Sequence, residues 1–327
     1  MIPENREAVL QELRKTVETN LTFLAPPEGT WQPADFLPDT GEAWDDQMSS
    51  FRASCAGLSD DLVAVLCGNV VTEEALPSYH AWLSNLEGGL DPTGRGECSF
   101  GRWTRYWVAD EQKHGSVLSK FLYLSGRVNM KAFETTVHNL IRNGFDPSTN
   151  RCLTKGFVYT SFQEAATRIA HGNVGKLARK EGCEPLAKML EAIAADEARH
   201  ETAYTRFVGR LLELDPEGTV VAMSAMLDRG IEMPGRTMDD GGGDSKLFAV
   251  FSAAAQRLHV YTTRDYVDLV ERNLRRWAIF EKRFTSEAGQ RAQEAIGVLL
   301  KRLGKLADRA ERQASAKTTR PFLWVAP

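Results

Sequence analysis

Residues 110–114 read Asp-Glu-Gln-Lys-His, and residues 196–200 read Asp-Glu-Ala-Arg-His. Both stretches contain Glu-x-x-His, and side chains three residues apart on a helix project from the same face. Each pair can therefore place one carboxylate oxygen and one imidazole nitrogen on the same metal ion. The pair occurs on two separate segments, which is the arrangement that a two-metal site inside a helical bundle requires.

Both pairs lie on helix faces whose other members are apolar. The first face is formed by Trp107, Glu111, His114 and Leu118, and the second by Leu190, Ile193, Glu197, His200, Tyr204 and Phe207. Burial of an unpaired carboxylate is costly, so two of them on apolar faces predict a cation or a hydrogen-bond partner. The alternative is a pair of weak Glu–His contacts on the protein surface.

A two-metal carboxylate site needs one further glutamate from each of two more helices. The candidates are Glu73 or Glu74 in VVTEEALPSYH and Glu164 in YTSFQEAATRIAHG. Helical periodicity does not separate Glu73 from Glu74. Glutamate and histidine ligands with few thiolates favour iron or manganese over copper. The doubled pattern predicts two metal ions.

Two other histidines are rival ligands by position. His80 and His171 each lie seven residues beyond a candidate glutamate. We interpret them as helix-end histidines, because Gly172 directly follows His171 and glycine commonly caps the C-terminus of a helix.

Apolar residues at three-to-four residue spacing predict an all-α bundle. The predicted helices cover residues 5–22, 60–86, 102–125, 129–143, 157–171, 185–214, 217–230, 246–257, 263–283 and 287–313. No low-complexity linker interrupts them, so we predict one domain over residues 1–327, with an N-terminal helical extension (1–30) and a basic C-terminal part (272–327). The basic residues predict either a solvated helix face or a surface for an acidic partner.

Composition excludes several classes of protein. A net charge of -4 over 327 residues does not suit a nucleic-acid binder. Five cysteines without a C-x-x-C pair indicate neither a disulfide framework nor a zinc–thiolate site. The charged N-terminus does not resemble a signal peptide, and no run approaches the roughly 20 apolar residues of a membrane span. We expect a soluble cytoplasmic protein.

Several stretches resemble one family closely over roughly residues 30–327. They are WQPADFLPD, TEEALPSYH, WTRYWVADEQKHG, KFLYLSGRVNM, GFVYTSFQEAATRIAHGN, IAADEARHETAYTR, FSAAAQRLHVYTTRDY and PFLWVAP. The chain resembles the soluble plant-type acyl-[acyl-carrier-protein] desaturases of the ferritin-like di-iron superfamily. The resemblance implies a ferritin-like bundle, a homodimer, and O2-dependent insertion of a cis double bond into an acyl chain on acyl carrier protein. Electrons would come from ferredoxin, since the sequence has no dinucleotide or flavin motif.

The resemblance also implies the metal ligands. The matched positions are Glu73, Glu111, His114, Glu164, Glu197 and His200, with Glu111 and Glu197 bridging two irons. Glu73 is thereby selected over Glu74.

Further roles follow from the same resemblance. Thr167 matches a threonine near the oxygen site, although its hydroxyl could instead bond back to its own helix. Trp31, Asp196 and His114 match a chain proposed to conduct electrons or to hold the imidazole, although Trp31 could be a core residue alone.

The family's substrate pocket maps to seven positions. They are Trp82, Asn85, Leu86, Pro147, Thr149, Gly156 and Phe157. Trp82 is bulkier than expected at the closed end of an acyl channel, so we hypothesise a shortened or redirected pocket. A plain core tryptophan is the alternative.

The sequence leaves three other functions open. The first is a related di-iron oxidase, either an acetylenase or a specialised-pathway desaturase. The second is a ferritin-like iron-storage or radical protein, for which Tyr204 is the tyrosine nearest a ligand motif. The third is a metal-free module that binds carrier protein, against which the complete ligand set argues.

Overall fold

The protein is built from α-helices. The computed structural model describes residues 4–88, 91, 93–243, 246–313 and 322–326. The α-helices are α1 (Glu4–Asn20), α2 (Trp44–Cys55), α3 (Asp60–Glu74), α4 (Leu76–Leu83), α5 (Ser99–Ser125), α6 (Met130–Asn143), α7 (Leu153–Lys180), α8 (Glu184–Leu214), α9 (Pro216–Arg229), α10 (Leu247–Arg257), α11 (Thr263–Arg276) and α12 (Glu287–Gln313). Within these ranges the β-structure amounts to one isolated bridge, Val128 to Val325. The predicted all-α fold is confirmed.

The first part of the chain departs from the predicted helices at two places. Residues 60–86 form α3 and α4 instead of one helix, because Pro77 lies in the first turn of α4 and lacks the N–H that a continuous helix would use. Helix α2 is not predicted from its sequence. Its apolar stripe consists of only Met48, Phe51 and Cys55, and polar residues surround them.

Two later helices also differ from prediction. Helix α7 continues to Lys180, so Gly172 is not a C-terminal cap and His171 lies inside the helix. The interpretation of His171 as a helix-end residue is therefore wrong. Helix α11 ends at Arg276 rather than 283, and Ala278 has φ of 51°, a left-handed conformation that a right-handed helix cannot contain.

Three long helices run from one hydrophobic cluster to another. On α5, Phe100, Trp103 and Trp107 belong to one cluster, and Val117, Leu118 and Phe121 belong to the other. Helices α7 and α8 cross between the same two clusters. The acidic residues and histidines of all three helices lie at the crossing, where apolar packing on both sides excludes water. The fold thus places the polar residues in one buried layer.

Helices α1 and α12 flank this arrangement. Helix α1 buries Leu10, Leu13 and Val17 and packs on α5 and α8. Helix α12 turns Leu299, Leu303 and Ala307 inward, whereas Lys301, Arg302 and Lys305 are exposed. Those basic residues therefore lie on an exposed helix face, as both a solvated face and a surface for an acidic partner require. The single domain over 1–327 stays a prediction, and its residues 1–3, 89, 90, 92, 244, 245, 314–321 and 327 lie outside the described residues.

The length and apolar content of the helices bear on whether the chain could cross a membrane. Among the described residues, no single helix is long and apolar enough to cross a bilayer. One bent pair, Trp44–Cys55 with Asp60–Leu83, meets the length and composition criteria, and its two parts meet at 109°. The apolar side chains of α3 are buried inside the protein.

Candidate metal centre

Four helices bring six carboxylate and imidazole side chains into one buried cluster. Helix α3 supplies a glutamate, α7 supplies another, and α5 and α8 each supply a Glu-x-x-His pair. The potential ligand atoms form two groups, each with atoms within 4.8 Å of one another: Glu73, Glu111, His114 and Glu197, and Glu111, Glu164, Glu197 and His200. Glu111 and Glu197 belong to both groups. The side chains can therefore hold two metal ions with these two carboxylates between them.

Both histidines present Nδ1 to the carboxylates. His114 Nδ1 lies 3.1 Å from Glu111 Oε2 and 3.6 Å from Glu197 Oε1. His200 Nδ1 lies 2.8 Å from Glu111 Oε1 and 3.4 Å from Glu164 Oε2. All these side chains are buried, and both histidines have no exposed surface. The two Nδ1 atoms therefore point into the layer where the carboxylates converge.

The opposite nitrogen of each ring faces an aspartate. His114 Nε2 lies 3.3 Å from Asp196 Oδ2, and His200 Nε2 lies 3.4 Å from Asp110 Oδ2. A carboxylate in this position fixes the tautomer and orientation of a metal-bound imidazole. Each aspartate belongs to the motif of the other helix, so the packing of α5 on α8 creates both contacts.

Asp110 is a site residue that sequence reasoning misses. The signal is nevertheless present, because both motifs read Asp-Glu-x-x-His and the aspartate repeats with the glutamate. The family resemblance identifies only the second member, Asp196. Recognition of Asp110 requires the contact with His200, which joins residues 90 positions apart.

The polar atoms at the centre of the cluster fit a bound cation. Within the described part of the chain, Glu111 Oε1, Glu197 Oε2 and His200 Nδ1 are buried without a hydrogen-bond partner. Glu111 Oε1 and His200 Nδ1 lie 2.8 Å apart, close enough for one ion to bind both. Buried polar atoms are normally paired. A metal ion between them would satisfy all three, and hard oxygen and imidazole ligands suit iron.

Burial and charge have opposite effects on the acidic groups. Burial raises the pKa of Glu73 and raises that of Glu164 well above its ordinary value. Burial would also raise the pKa of Glu111, but the two neighbouring histidines outweigh it and lower that pKa to about 2. Burial alone would lower the pKa of His114 and of His200, but the surrounding carboxylates raise both well above the ordinary value. Bound protons thus supply the positive charge that a metal would replace.

The structure distinguishes between the two adjacent glutamates on α3. Glu73 is buried in the cluster, whereas Glu74 is half-buried outside it and is hydrogen-bonded to Ser119. His80 is exposed and distant from the ligand groups. His171 Nε2 lies 2.8 Å from Glu73 Oε1, so His171 contacts a predicted ligand without belonging to either group.

Three further residues contact the cluster or its supports. Trp31 Nε1 donates to Asp196 Oδ2 at 3.1 Å, and the Trp31 ring stacks on His114 with centroids 6.0 Å apart. Trp31 is therefore in contact with the site. The hydroxyl of Thr167 donates to backbone carbonyls of its own helix, and Thr167 also borders the cavity described next. Trp107 Nε1 donates to Glu164 Oε1 at 3.0 Å. The sequence predicts Trp107 only as a member of an apolar helix face and does not predict this hydrogen bond.

A cavity borders the carboxylates on one side. The acidic part of its wall is Glu73, Glu111, Glu164 and Glu197, and the remainder includes Leu76, Tyr79, Trp82, Leu83, Trp107, Phe145, Tyr159 and Met233. Trp82 Nε1 donates to Thr149 Oγ1 at 3.0 Å. Its ring lies edge-on against Phe145 and Tyr159, with centroids 5.5 and 5.4 Å away. The indole is thus a fixed wall of the cavity.

The other six predicted pocket residues, namely Asn85, Leu86, Pro147, Thr149, Gly156 and Phe157, do not line this cavity in the described structure. Asn85 lies just past the end of α4, is exposed and donates to the backbone carbonyl of Ala81. Leu86 fills the space above Gly156, where an added Cβ would lie 2.5 Å from the Leu86 side chain. Phe157 packs on Phe207 in the core. Of the seven predicted pocket residues, only Trp82 therefore lines the cavity that borders the carboxylates.

Comparisons with known proteins agree with this geometry. The model of the fatty acid desaturase family matches residues 5–326. The chloroplastic stearoyl-[acyl-carrier-protein] 9-desaturase of Solanum tuberosum is 44% identical over 326 residues, covering 99% of this chain and 83% of that protein. Stearoyl-[acyl-carrier-protein] 9-desaturase 5 of Arabidopsis thaliana is 46% identical over 310 residues, covering 94% and 78%.

A solved structure shows the same fold. The DesA2 protein of Mycobacterium tuberculosis H37Rv has a TM-score of 0.58 and 18% identity, with 87% of this chain and 99% of that chain covered. At this identity the likeness concerns the fold alone. The full-length match to the family model and the identity to the plant proteins are far more specific. The chain belongs to the fatty acid desaturase family.

Proposed function

We propose that this chain is an acyl-[acyl-carrier-protein] desaturase that uses two iron ions, O2 and electrons from ferredoxin. One observation carries the proposal: two ligand groups that share Glu111 and Glu197 lie in the wall of an otherwise largely apolar cavity. When bound, the iron pair would supply the O2 reduction that removes two hydrogens from the substrate. The relatives' names specify an acyl chain on acyl carrier protein as the substrate.

The cavity can position a chain that has no polar group of its own. An alkyl chain offers no hydrogen-bonding handle, so its reacting carbons are selected by where the chain lies. Tyr79, Trp107 and Phe145 present hydrophobic surface beside the carboxylates. Exclusion of water by these rings also strengthens the interactions of the charged groups with one another. The protein's part in the reaction is therefore to hold two adjacent methylenes beside the metal ligands.

A second cavity supports a route for the chain. It is lined by Asn69, Phe248, Phe251, Tyr261 and neighbouring residues. It shares Thr72, Glu73, Thr167 and Met233 with the first cavity. We infer that the acyl chain passes from the second cavity, beside Glu73 and Thr167, into the first and ends against Trp82. The position of Thr167 supports a role beside the reacting carbons.

The contacts of Trp31 support the proposed electron route. Its indole nitrogen bonds to Asp196, which in turn contacts His114. Hydrogen bonds thus connect the half-buried indole of Trp31, through Asp196, to the predicted ligand His114. Ferredoxin as donor and a homodimer remain part of the proposal. The Tyr204 ring packs against Trp103 and Phe207 in the core, and its buried hydroxyl has no hydrogen-bond partner.

The proposal is tested with iron-loaded protein. Iron per chain is measured first, and the protein is then incubated with ferredoxin, its reductase, O2 and acyl carrier proteins that bear chains of several lengths. Mass spectrometry is expected to show about two irons per chain and a loss of two hydrogens from one preferred length. A loss of four hydrogens would indicate an alkyne product. Two irons without a change of acyl mass would overturn the desaturase proposal and leave the metal centre in place.

A further inference from the structure

A lysine side chain is enclosed between the two halves of the candidate metal centre. Lys113 lies between Glu111 and His114 in sequence, and its side chain is only 7% exposed. Lysine is rarely buried unless its charge is paired. Here Nζ lies 2.9 Å from Asp110 Oδ1 and 3.3 Å from Asp196 Oδ2. The ammonium group therefore bridges two aspartates from different helices.

Those two aspartates are the ones that face the histidines. Asp196 contacts His114, and Asp110 contacts His200. Each imidazole is thus connected, through the aspartate that it contacts, to the ammonium group of Lys113. The two Nε2 to carboxylate distances are similar, 3.3 and 3.4 Å, although Asp196 also pairs with Arg199 at 2.7 Å and Asp110 also accepts from the Ala25 N–H at 3.2 Å. A change at Lys113 reaches both predicted metal positions at once, whereas a change at either aspartate reaches one.

The remaining contacts of Lys113 fix its position. Nζ donates to Thr30 Oγ1 at 2.5 Å and lies 4.8 Å from the centre of the Trp31 ring. Trp31 itself donates to Asp196. The segment of Thr30 and Trp31 therefore covers the ammonium group on the side away from the carboxylates. Such complete enclosure leaves the lysine no alternative partner in solvent.

We propose that Lys113 is a positioning residue that couples the two histidine ligands through Asp110 and Asp196. The positive charge of Lys113 partly neutralises the negative charges of the two aspartates, so the aspartates attract the Nε2 protons of the imidazoles less strongly. Without that charge, both aspartates act more strongly on the rings and both imidazoles become better electron donors to a metal. Stronger donors favour the oxidised metal. The inference rests on the proposed iron centre.

The test compares Lys113→Gln, which keeps hydrogen-bonding capacity and removes the charge, with Lys113→Arg, which keeps the charge. Lys120→Gln is the matched control, because Lys120 is an exposed lysine on the same helix. Four quantities are measured on each protein: the melting temperature without metal, iron per chain, the rate of iron release to a chelator, and the reduction potential of the iron centre. Mössbauer spectra report the two iron environments separately.

For Lys113→Gln we expect a lower reduction potential, changed Mössbauer signals from both irons, and slower release of ferric iron, because stronger imidazole donors bind the oxidised metal more tightly. Lys113→Arg and Lys120→Gln should behave as the unaltered protein. A lower melting temperature with an unchanged potential and unchanged spectra would assign Lys113 to stability alone and overturn the inference, as would failure of Lys113→Gln to fold. Failure of the unaltered protein to bind iron would instead overturn the proposed function.

Discussion

Replacement of Trp82 by alanine tests where the acyl cavity ends. The indole is held by Thr149 and by two aromatic rings and lines the cavity, whereas Leu86 and Gly156 do not; we propose that it separates the cavity from them. Its removal extends the apolar space at the end remote from the second cavity. A longer acyl chain can then bury more methylenes beyond the metal ligands. The substrate preference should therefore shift towards longer chains.

The size of the shift follows from the burial of methylenes. Each additional buried CH2 contributes about 0.8 kcal/mol. Two methylenes then contribute about 1.6 kcal/mol, which corresponds to about a fifteenfold gain in kcat/KM relative to the original substrate. The substitution also removes packing, and large-to-small changes of buried aromatic residues cost about 3 to 5 kcal/mol of folding free energy. The half-buried indole should lie at or below the lower end of that range.

The assay is competition between acyl carrier proteins that bear chains differing by two carbons, with products resolved by mass spectrometry. Trp82→Phe should give a smaller shift than Trp82→Ala. Asn85→Ala is the matched control, because Asn85 is one turn away, exposed and outside the cavity. An unchanged length preference in a folded, iron-loaded Trp82→Ala protein would refute the reasoning. A shift in Asn85→Ala would show that the cavity extends past Trp82.

Further predictions concern the metal ligands, protons and electron supply. Glu73→Gln should lose most of the bound iron, whereas Glu74→Gln should keep it, and equal iron contents by metal analysis would contradict the assignment. Burial raises the pKa of Glu73 and Glu164, so protons compete with iron as the pH falls, and iron affinity measured by titration should increase with pH. A carboxyl group whose pKa is raised in the folded state stabilises the fold at low pH, and this stability is lost as the pH rises from its ordinary pKa through its folded-state pKa. The melting temperature of metal-free protein should therefore fall over this pH range, whereas bound iron should protect the protein. Trp31→Phe removes the donor to Asp196, and it should slow reduction by ferredoxin in stopped-flow measurements with little change in iron content; an unchanged reduction rate would exclude Trp31 from the route.

Much of the fold can be predicted from local patterns. Apolar spacing indicates the long helices, and the all-α assignment is confirmed. The misplaced boundaries have local physical causes. Pro77 divides one predicted helix, and Gly172 is tolerated inside α7 because its neighbours pack the helix on both sides. Helix α2 escapes prediction because only three of its side chains are buried.

The chemistry of the site is also present in the sequence. Two Glu-x-x-His pairs on apolar faces specify which atoms each helix offers, because three-residue spacing determines a common face within one helix. Glu164 and one of Glu73 and Glu74 are candidates from the sequence, the family resemblance selects Glu73, and the structure brings all six side chains into two groups. The resemblance to acyl-[acyl-carrier-protein] desaturases is confirmed by the family match.

Contacts between helices are decided by tertiary structure alone. Helical periodicity does not set the rotation of one helix against another or the distance between them. The exclusion of Glu74, the pairing of Asp110 with His200, and the bridge that Lys113 makes all depend on how α3, α5 and α8 pack. The orientation of the Trp82 indole in the cavity wall depends likewise on Thr149, 67 residues away in the chain. The sequence by itself therefore determines which ligands are available, and the packing of the helices decides how they are oriented and how far a substrate can extend.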